Sequence, residues 1–140
     1  MLTLPLESSQ TLDAVATMSA PAEVMAKLDV LALELDTLSK SLTGTECVLE
    51  PLEAQYEEWV GDWEASLWEE CSVSETKWPP EKLRSRMAHR AMDSELLGAV
   101  NAGQAKRKRL ERRIASVKVV VDAQRSLLSC LKAELEATTR

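Results

Sequence analysis

The sequence predicts an all-α fold, a long antiparallel helical hairpin with coiled-coil character. Apolar residues recur in alternating steps of four and three over about 40 residues, stop at a proline-containing segment and then resume. The chain of 140 residues has no phenylalanine and only 4 glycines, which argues against a sandwich or barrel with many turns. This length predicts one domain, which we place at residues 19–140.

The first predicted helix covers residues 20–70 in outline. Ser19 can cap free amide groups and Pro21 fits a first turn, so the helix is expected to start there. Residues 1–18 lack a sustained period and are expected to form a flexible arm. Eleven of the twelve predicted seam positions are apolar or aromatic: Val24, Leu28, Leu31, Leu35, Leu38, Leu42, Thr45, Leu49, Leu52, Tyr56, Trp59 and Trp63.

Gly44 and Pro51 interrupt this helix without shifting its heptad register. A proline inside a helix removes one backbone hydrogen bond and clashes with the preceding turn. Because the register continues past both residues, we expect one long helix kinked near residues 44–51 rather than two helices.

Residues 71–80 are expected to form the turn, because Pro79 and Pro80 disfavour helical geometry before them. A second helix is predicted over residues 81–137, with a seam at Leu83, Met87, Ala91, Leu96, Leu97, Val100, Leu110, Ile114, Val117, Val121, Gln124, Leu128, Leu131 and Leu135. The small residues at 98–105 leave a three-helix alternative open, with a break near Gly103. Folding the chain at the turn brings Leu52 opposite Ala99. It also places Glu46, Glu50 and Glu53 near Lys106, Arg107 and Lys108.

Charge is divided unevenly along the chain. Residues 1–76 carry 16 acidic and 2 basic side chains, giving −14, whereas residues 77–140 carry 15 basic and 7 acidic ones, giving +8. The cations concentrate in one short run, which makes it the candidate nucleic-acid-binding site: Lys106, Arg107, Lys108, Arg109, Arg112 and Arg113. Lysine and arginine bind phosphates without reading sequence. The competing interpretation is a solvated helix face partly neutralised by the acidic first helix.

No catalytic or metal-binding pattern is found in the sequence. His89 is a lone histidine on a helix, and Cys47, Cys71 and Cys130 lack the spacing of a zinc site or a disulfide framework. We therefore expect no enzyme activity, no cofactor and no small-molecule substrate. Trp59 and Trp63 fall on the seam and are expected in the core. Trp68 and Trp78 flank the turn, where they would clamp it, contact another subunit or meet a ligand.

The N-terminus lacks a signal-peptide pattern, and no stretch approaches the roughly 18 apolar residues of a membrane span. A soluble, cytoplasmic chain without a membrane partner is expected. A lone two-helix hairpin covers only one side of each helix, so we also expect a homo-oligomer.

The stretch "KRKRLERRIASVKVVVDAQRSLLSCLKAELE" at residues 106–136 resembles the last helix of small phage-encoded proteins, the UvsY-like recombination mediators. The resemblance also includes the similar length and a first helix rich in Leu, Tyr and Trp. It implies an oligomer that binds single-stranded DNA in the host cytoplasm and helps to load a RecA-type recombinase. The six cations named above would correspond by position and charge.

The leading hypothesis is a non-enzymatic phage-type accessory protein in DNA recombination or replication, which binds single strands through the basic helix. One alternative is a structural or adaptor coiled coil that recruits a partner helix. Another is an inhibitor whose acidic first helix imitates a phosphate backbone through Glu50, Glu53, Glu57, Glu58, Asp62 and Glu64.

Overall fold

The protein folds into three helices. The structure, a computed structural model, describes the backbone of residues 6–139 and the side chains of residues 20–139. Helix α1 spans Leu6–Ser74, α2 spans Glu81–Ala91 and α3 spans Ser94–Thr139, with no strand among these residues. The predicted all-α class is confirmed. Coiled-coil character stays a prediction.

Helix α1 begins earlier than the capping pattern indicated. It starts at Leu6 rather than near residue 20, so Pro21 lies inside the helix and not in its first turn. A proline within a helix costs about 3 kcal/mol, a cost that the many other backbone bonds of a long helix can offset. The start predicted at residue 20 is therefore wrong. Residues 6–18 of the predicted flexible arm are part of α1, whereas residues 1–5 lie outside the described residues.

The helix then continues through Gly44 and Pro51, as the uninterrupted heptad register predicted. The polar seam residue Thr45 is buried, and its hydroxyl donates a hydrogen bond to the carbonyl of Ser41 at 2.8 Å. This bond satisfies the buried hydroxyl, so one polar residue is tolerated in the seam. The kink predicted near residues 44–51 stays a prediction.

A left-handed residue ends α1. Glu75 has φ 58°, and the N–H of Thr76 donates to the carbonyl of Cys71 at 3.0 Å. This combination is a Schellman motif, which satisfies a carbonyl that the last turn leaves without a partner. Helix therefore persists to Ser74, and the connection covers residues 75–80 rather than the predicted 71–80.

The second predicted helix is broken, which confirms the three-helix alternative but not its position. The break lies at Met92 and Asp93, not near Gly103. Met92 is buried with an extended backbone (φ −68°, ψ 147°). The side chain of Asp93 accepts a hydrogen bond from the N–H of Glu95 at 3.3 Å, so it caps the start of α3.

Gly103 does not break α3; it allows α3 to pack closely against Leu49 of α1. A Cβ atom at this position would lie 2.6 Å from Cδ1 of Leu49, whose side chain is only 1% exposed. Glycine thus lets α3 approach the most deeply buried leucine of α1. The small residues at 98–105 reflect this approach rather than a turn.

The described residues form two compact units. The first joins the chain up to Ser39 with the segment from Arg112 onward, and the second comprises Lys40–Glu111. Val24, Val117 and Val121 are buried in the first unit. In the second unit the buried residues are Thr45, Leu49, Ala88, Met92 and Val100.

The predicted seam of α1 agrees with the burial pattern, since all twelve positions are buried or half-buried. Of the seam predicted for the second helix, Leu83, Ala91 and Leu135 are exposed, whereas Ala88 and Met92, which the prediction did not include, are buried. The break after Ala91 changes the register there. Within the second unit the contacts run antiparallel, pairing Glu53 with Arg107, Tyr56 with His89, Glu64 with Arg84 and Trp68 with Trp78.

Replacing Glu75 by glycine should stabilise the protein by about 1 kcal/mol, because glycine adopts positive φ without the steric cost of a Cβ atom. Urea unfolding followed by circular dichroism measures the change. Ser72→Gly is the matched control inside α1 and should lower stability by about 0.5 kcal/mol. Equal effects of the two variants would contradict the role given to Glu75.

Two glycines should respond differently to alanine. Gly61 has no atom within 4 Å of an added Cβ, so Gly61→Ala should raise the free energy of unfolding by up to about 1 kcal/mol through helix propensity alone. Gly103→Ala should lose this gain, because Leu49 must move. Chemical denaturation of both variants checks the difference, and an equal gain would refute the close packing.

Candidate nucleic-acid interface

The six candidate cations lie on α3, around the half-buried residues Leu110 and Ile114. Lys106, Arg107, Lys108 and Arg109 belong to the second unit, and Arg112 and Arg113 belong to the first. Each helical residue turns by about 100°, so six cations in so short a run cannot share one face. Their environments must therefore differ.

Arg107 is engaged by the acidic first helix. Its Nη1 donates to Oε1 of Glu53 at 3.0 Å, and both side chains are half-buried. The sequence placed Glu53 near residues 106–108, and this part of the pairing is confirmed. Such a pair contributes only about 0–1 kcal/mol, but it holds the guanidinium away from solvent partners.

Arg113 also pairs with an acid of α1, within the first unit, although its side chain is 59% exposed. Its Nε donates to Oε1 of Glu34 at 3.0 Å, and its Nη2 donates to the same oxygen. Two donors on one carboxylate oxygen fix the orientation of the guanidinium group. Arg113 is thus neutralised within the fold, which the sequence analysis did not assign to a specific partner.

The other four cations are exposed: Lys106, Lys108, Arg109 and Arg112. None of them forms an ion pair within residues 20–139. In the second unit, Lys108 lies on the side of α3 opposite to Leu110, because two residues span about 200°. The run therefore divides into two arginines that pair internally and four cations open to an external anion.

Helix α1 also carries exposed carboxylates. Of the six acids proposed to imitate phosphates, Glu50, Glu57, Glu58 and Asp62 are exposed. Glu53 and Glu64 are half-buried and face Arg107 and Arg84. The exposed acids repel a polyanion over a range set by the Debye length, about 10 Å at 0.1 M salt.

The tryptophans pack against one another. Trp59 and Trp63 are half-buried and stacked, with ring centroids 6.4 Å apart and an interplanar angle of 10°. Neither ring is fully buried, so the expected core position is found only in part.

Trp68 and Trp78 meet edge to face across the connection between α1 and α2, with centroids 5.1 Å apart. The guanidinium carbon of Arg84 lies 4.8 Å from the centroid of the Trp78 ring. Nη1 of Arg84 also donates to the carbonyl of Pro79 at 2.7 Å. Of the three roles open to these tryptophans, the structure shows the clamp.

Sequence reasoning did not identify Arg84 as part of this clamp. Its Nε lies 3.8 Å from Oε1 of Glu64, too far for a hydrogen bond, and this buried nitrogen has no hydrogen-bond partner in the structure. In the sequence, Arg84 lies only a few residues after Trp78 and the two prolines. That proximity alone does not show that the Arg84 side chain contacts Trp78 and Pro79.

His89 on α2 lies close to Tyr56 on α1. The hydroxyl of Tyr56 and Nε2 of His89 are 2.7 Å apart, which is hydrogen-bond distance. Cys47 and Cys130 are exposed free thiols, and Cys71 is half-buried. The described residues contain no group of histidine, cysteine and carboxylate side chains that would hold a metal ion.

Comparison with known proteins assigns no relative to this chain. No family model, no curated protein and no solved structure matches it. Within the part of the chain that the structure describes, no helix combines the length and the apolar character needed to cross a bilayer.

Proposed function

We propose that this protein is a non-enzymatic accessory protein that binds single-stranded nucleic acid through exposed cations of α3. The observation that supports this proposal is the division of the basic run. Arg107 and Arg113 pair with carboxylates, whereas Lys106, Lys108, Arg109 and Arg112 are exposed and make no ion pair among the described residues. These four cations are therefore available to the phosphates of an external polyanion.

The expected binding is electrostatic and insensitive to base sequence. Four phosphate contacts on a single strand predict a slope of about −3 for log affinity against log salt concentration. The net charge of −6 opposes binding at long range, so affinity should be modest and should fall steeply with salt. The stacked Trp59 and Trp63 are packed together and are not assigned to base contacts.

The resemblance of residues 106–136 to UvsY-like mediators supports a role in recombination. In this proposal the protein is phage-type and acts in the host cytoplasm, where it helps to load a RecA-type recombinase onto the strand it binds. Direct contact with nucleic acid is the first step of that role and the one that the exposed cations support.

A second candidate function is an adaptor that recruits a partner helix. Large apolar side chains are exposed on α1 and α3, and Leu33 is 69% exposed. Exposed apolar residues in number favour protein contacts. An adaptor would ignore nucleic acid and co-purify with a helical partner, whereas a phosphate mimic would bind a basic protein and release it when the α1 acids are neutralised.

Reversing Lys106, Lys108 and Arg109 together to glutamate should abolish binding to a fluorescent oligothymidylate at low salt, because three phosphate contacts become repulsive. Fluorescence anisotropy at several salt concentrations measures affinity and slope. Circular dichroism verifies that helicity is retained.

The control carries the same change in charge within the same unit. Lys82, Arg86 and Arg90 lie exposed on α2, and their reversal to glutamate should weaken binding far less. Equal losses in the two triple variants would show that net charge alone drives binding. Unchanged binding in the α3 variant would refute the assignment to this surface.

Neutralising Glu53 should strengthen binding. Glu53→Gln frees Arg107 and removes one negative charge, so the affinity for oligothymidylate should rise several-fold at low salt. The cost in stability should stay below about 1 kcal/mol, as for other pairs near the surface. Glu70→Gln changes an exposed acid of α1 and provides the matched control; an equal gain there would contradict the specific effect of Arg107.

A further inference from the structure

A groove opens between α1 and α3 in the second unit, here called the Lys106 groove. An added Cβ atom at Gly44, on one wall of this groove, would meet no neighbouring atom within 4 Å. Small side chains on both walls leave room for a flat group to approach the backbone of the two helices. The groove has a volume of about 480 Å³, and its lining includes Ser41, Gly44, Val48, Ala99, Ala102 and Lys106.

The groove has a positive charge and no negative charge among the described residues that line it. Lys106 is the charged residue of this lining, and its side chain is exposed. On α1, Glu46 and Glu50 are each two residues from Val48, so each lies about 160° around the helix from it. These two exposed acids therefore point away from the groove. A polyanion that approaches from the side of the groove meets Lys106 before it meets a carboxylate.

The cations of α3 are divided between the two sides of the helix in the same way. Arg109 is three residues from Lys106, so the two lie about 60° apart, and both are exposed. Arg107 lies about 160° around α3 from Arg109 and pairs with Glu53 at 3.0 Å. One side of the second unit thus holds an arginine that is already paired. The other side holds two open cations beside a groove without acids.

This combination suits an anionic chain that also carries flat apolar groups. Single-stranded nucleic acid has both, since its phosphates are charged and its unpaired bases expose their π-faces. The bases of a duplex are paired and stacked, and taking one out costs free energy. A polyanion without flat groups would contact the cations and leave the groove empty.

We propose that the Lys106 groove receives an unpaired base of a bound single strand, while Lys106 and Arg109 contact the neighbouring phosphates. The inference rests on the proposed function and adds to it a physical reason for binding single strands in preference to duplex. Contact with the base contributes affinity that depends little on salt, whereas the phosphates contribute the salt-dependent part.

The first test compares an oligothymidylate with an abasic deoxyribose-phosphate strand of equal length. The two strands carry the same number of phosphates, and only the first has bases. In fluorescence anisotropy at low salt, the parent protein should bind oligothymidylate about tenfold more tightly, which is within the range that base contacts contribute. Equal affinity for the two strands would overturn the base contact and leave the proposed phosphate contacts standing. Failure to bind either strand would overturn the proposed function together with this inference.

The second test fills the groove without changing the charge of the protein. Ala102→Leu should lower the affinity for oligothymidylate to that for the abasic strand, with an unchanged slope against salt concentration. Ala54→Leu is the matched control, because Ala54 is exposed in the same unit and lies about 120° around α1 from Val48. Parent-like binding by Ala102→Leu, or an equal loss in Ala54→Leu, would refute the assignment. The comparison of strands uses the parent chain, so it decides the proposal even where circular dichroism shows that Ala102→Leu has lost helicity.

Discussion

The fold depends on hiding the continuous apolar seam of α1 from water. The seam includes every position from Val24 to Trp63 at heptad spacing, and each of these side chains is buried or half-buried. Apolar burial stabilises by about 25 cal/mol per Å², so no surface ion pair competes with it in deciding where the helices meet. Leu49 packs so closely against Gly103 that any larger residue at position 103 would displace the leucine.

Burial of the seam decides where the charges go. Once Leu110 and Ile114 turn inward on α3, the cations between and beside them must lie on the flanks or the outer face. Arg107 and Arg113 lie on the flanks and reach the carboxylates of Glu53 and Glu34. Lys108 lies on the outer face, beyond the reach of α1. The proposed polyanion surface is thus what remains of the basic run after the fold has used two arginines.

The two units differ in how many apolar side chains they bury. In the second unit, Trp68 and Trp78 pack against each other at the connection between α1 and α2. The same unit buries Leu49, Ala88, Met92 and Val100. The first unit buries only three apolar side chains among its described residues and leaves Val30 and Val120 in a groove. A pair of helices covers only one side of each helix, so apolar side chains such as Val30 and Val120 stay exposed.

The sequence by itself determined the all-α class, the seam of α1, the passage of that helix through Pro51 and the identity of the basic run. These features follow from periodicity and charge, which are local properties of a helix. Only the tertiary structure decided that the chain breaks at Met92, that Gly103 admits Leu49, and that Arg107 and Arg113 are paired whereas Lys108 is open. Each of these depends on the distance between residues far apart in sequence, such as the 3.0 Å between Arg107 and Glu53. Periodicity states which face is buried, but it does not state which residue lies opposite.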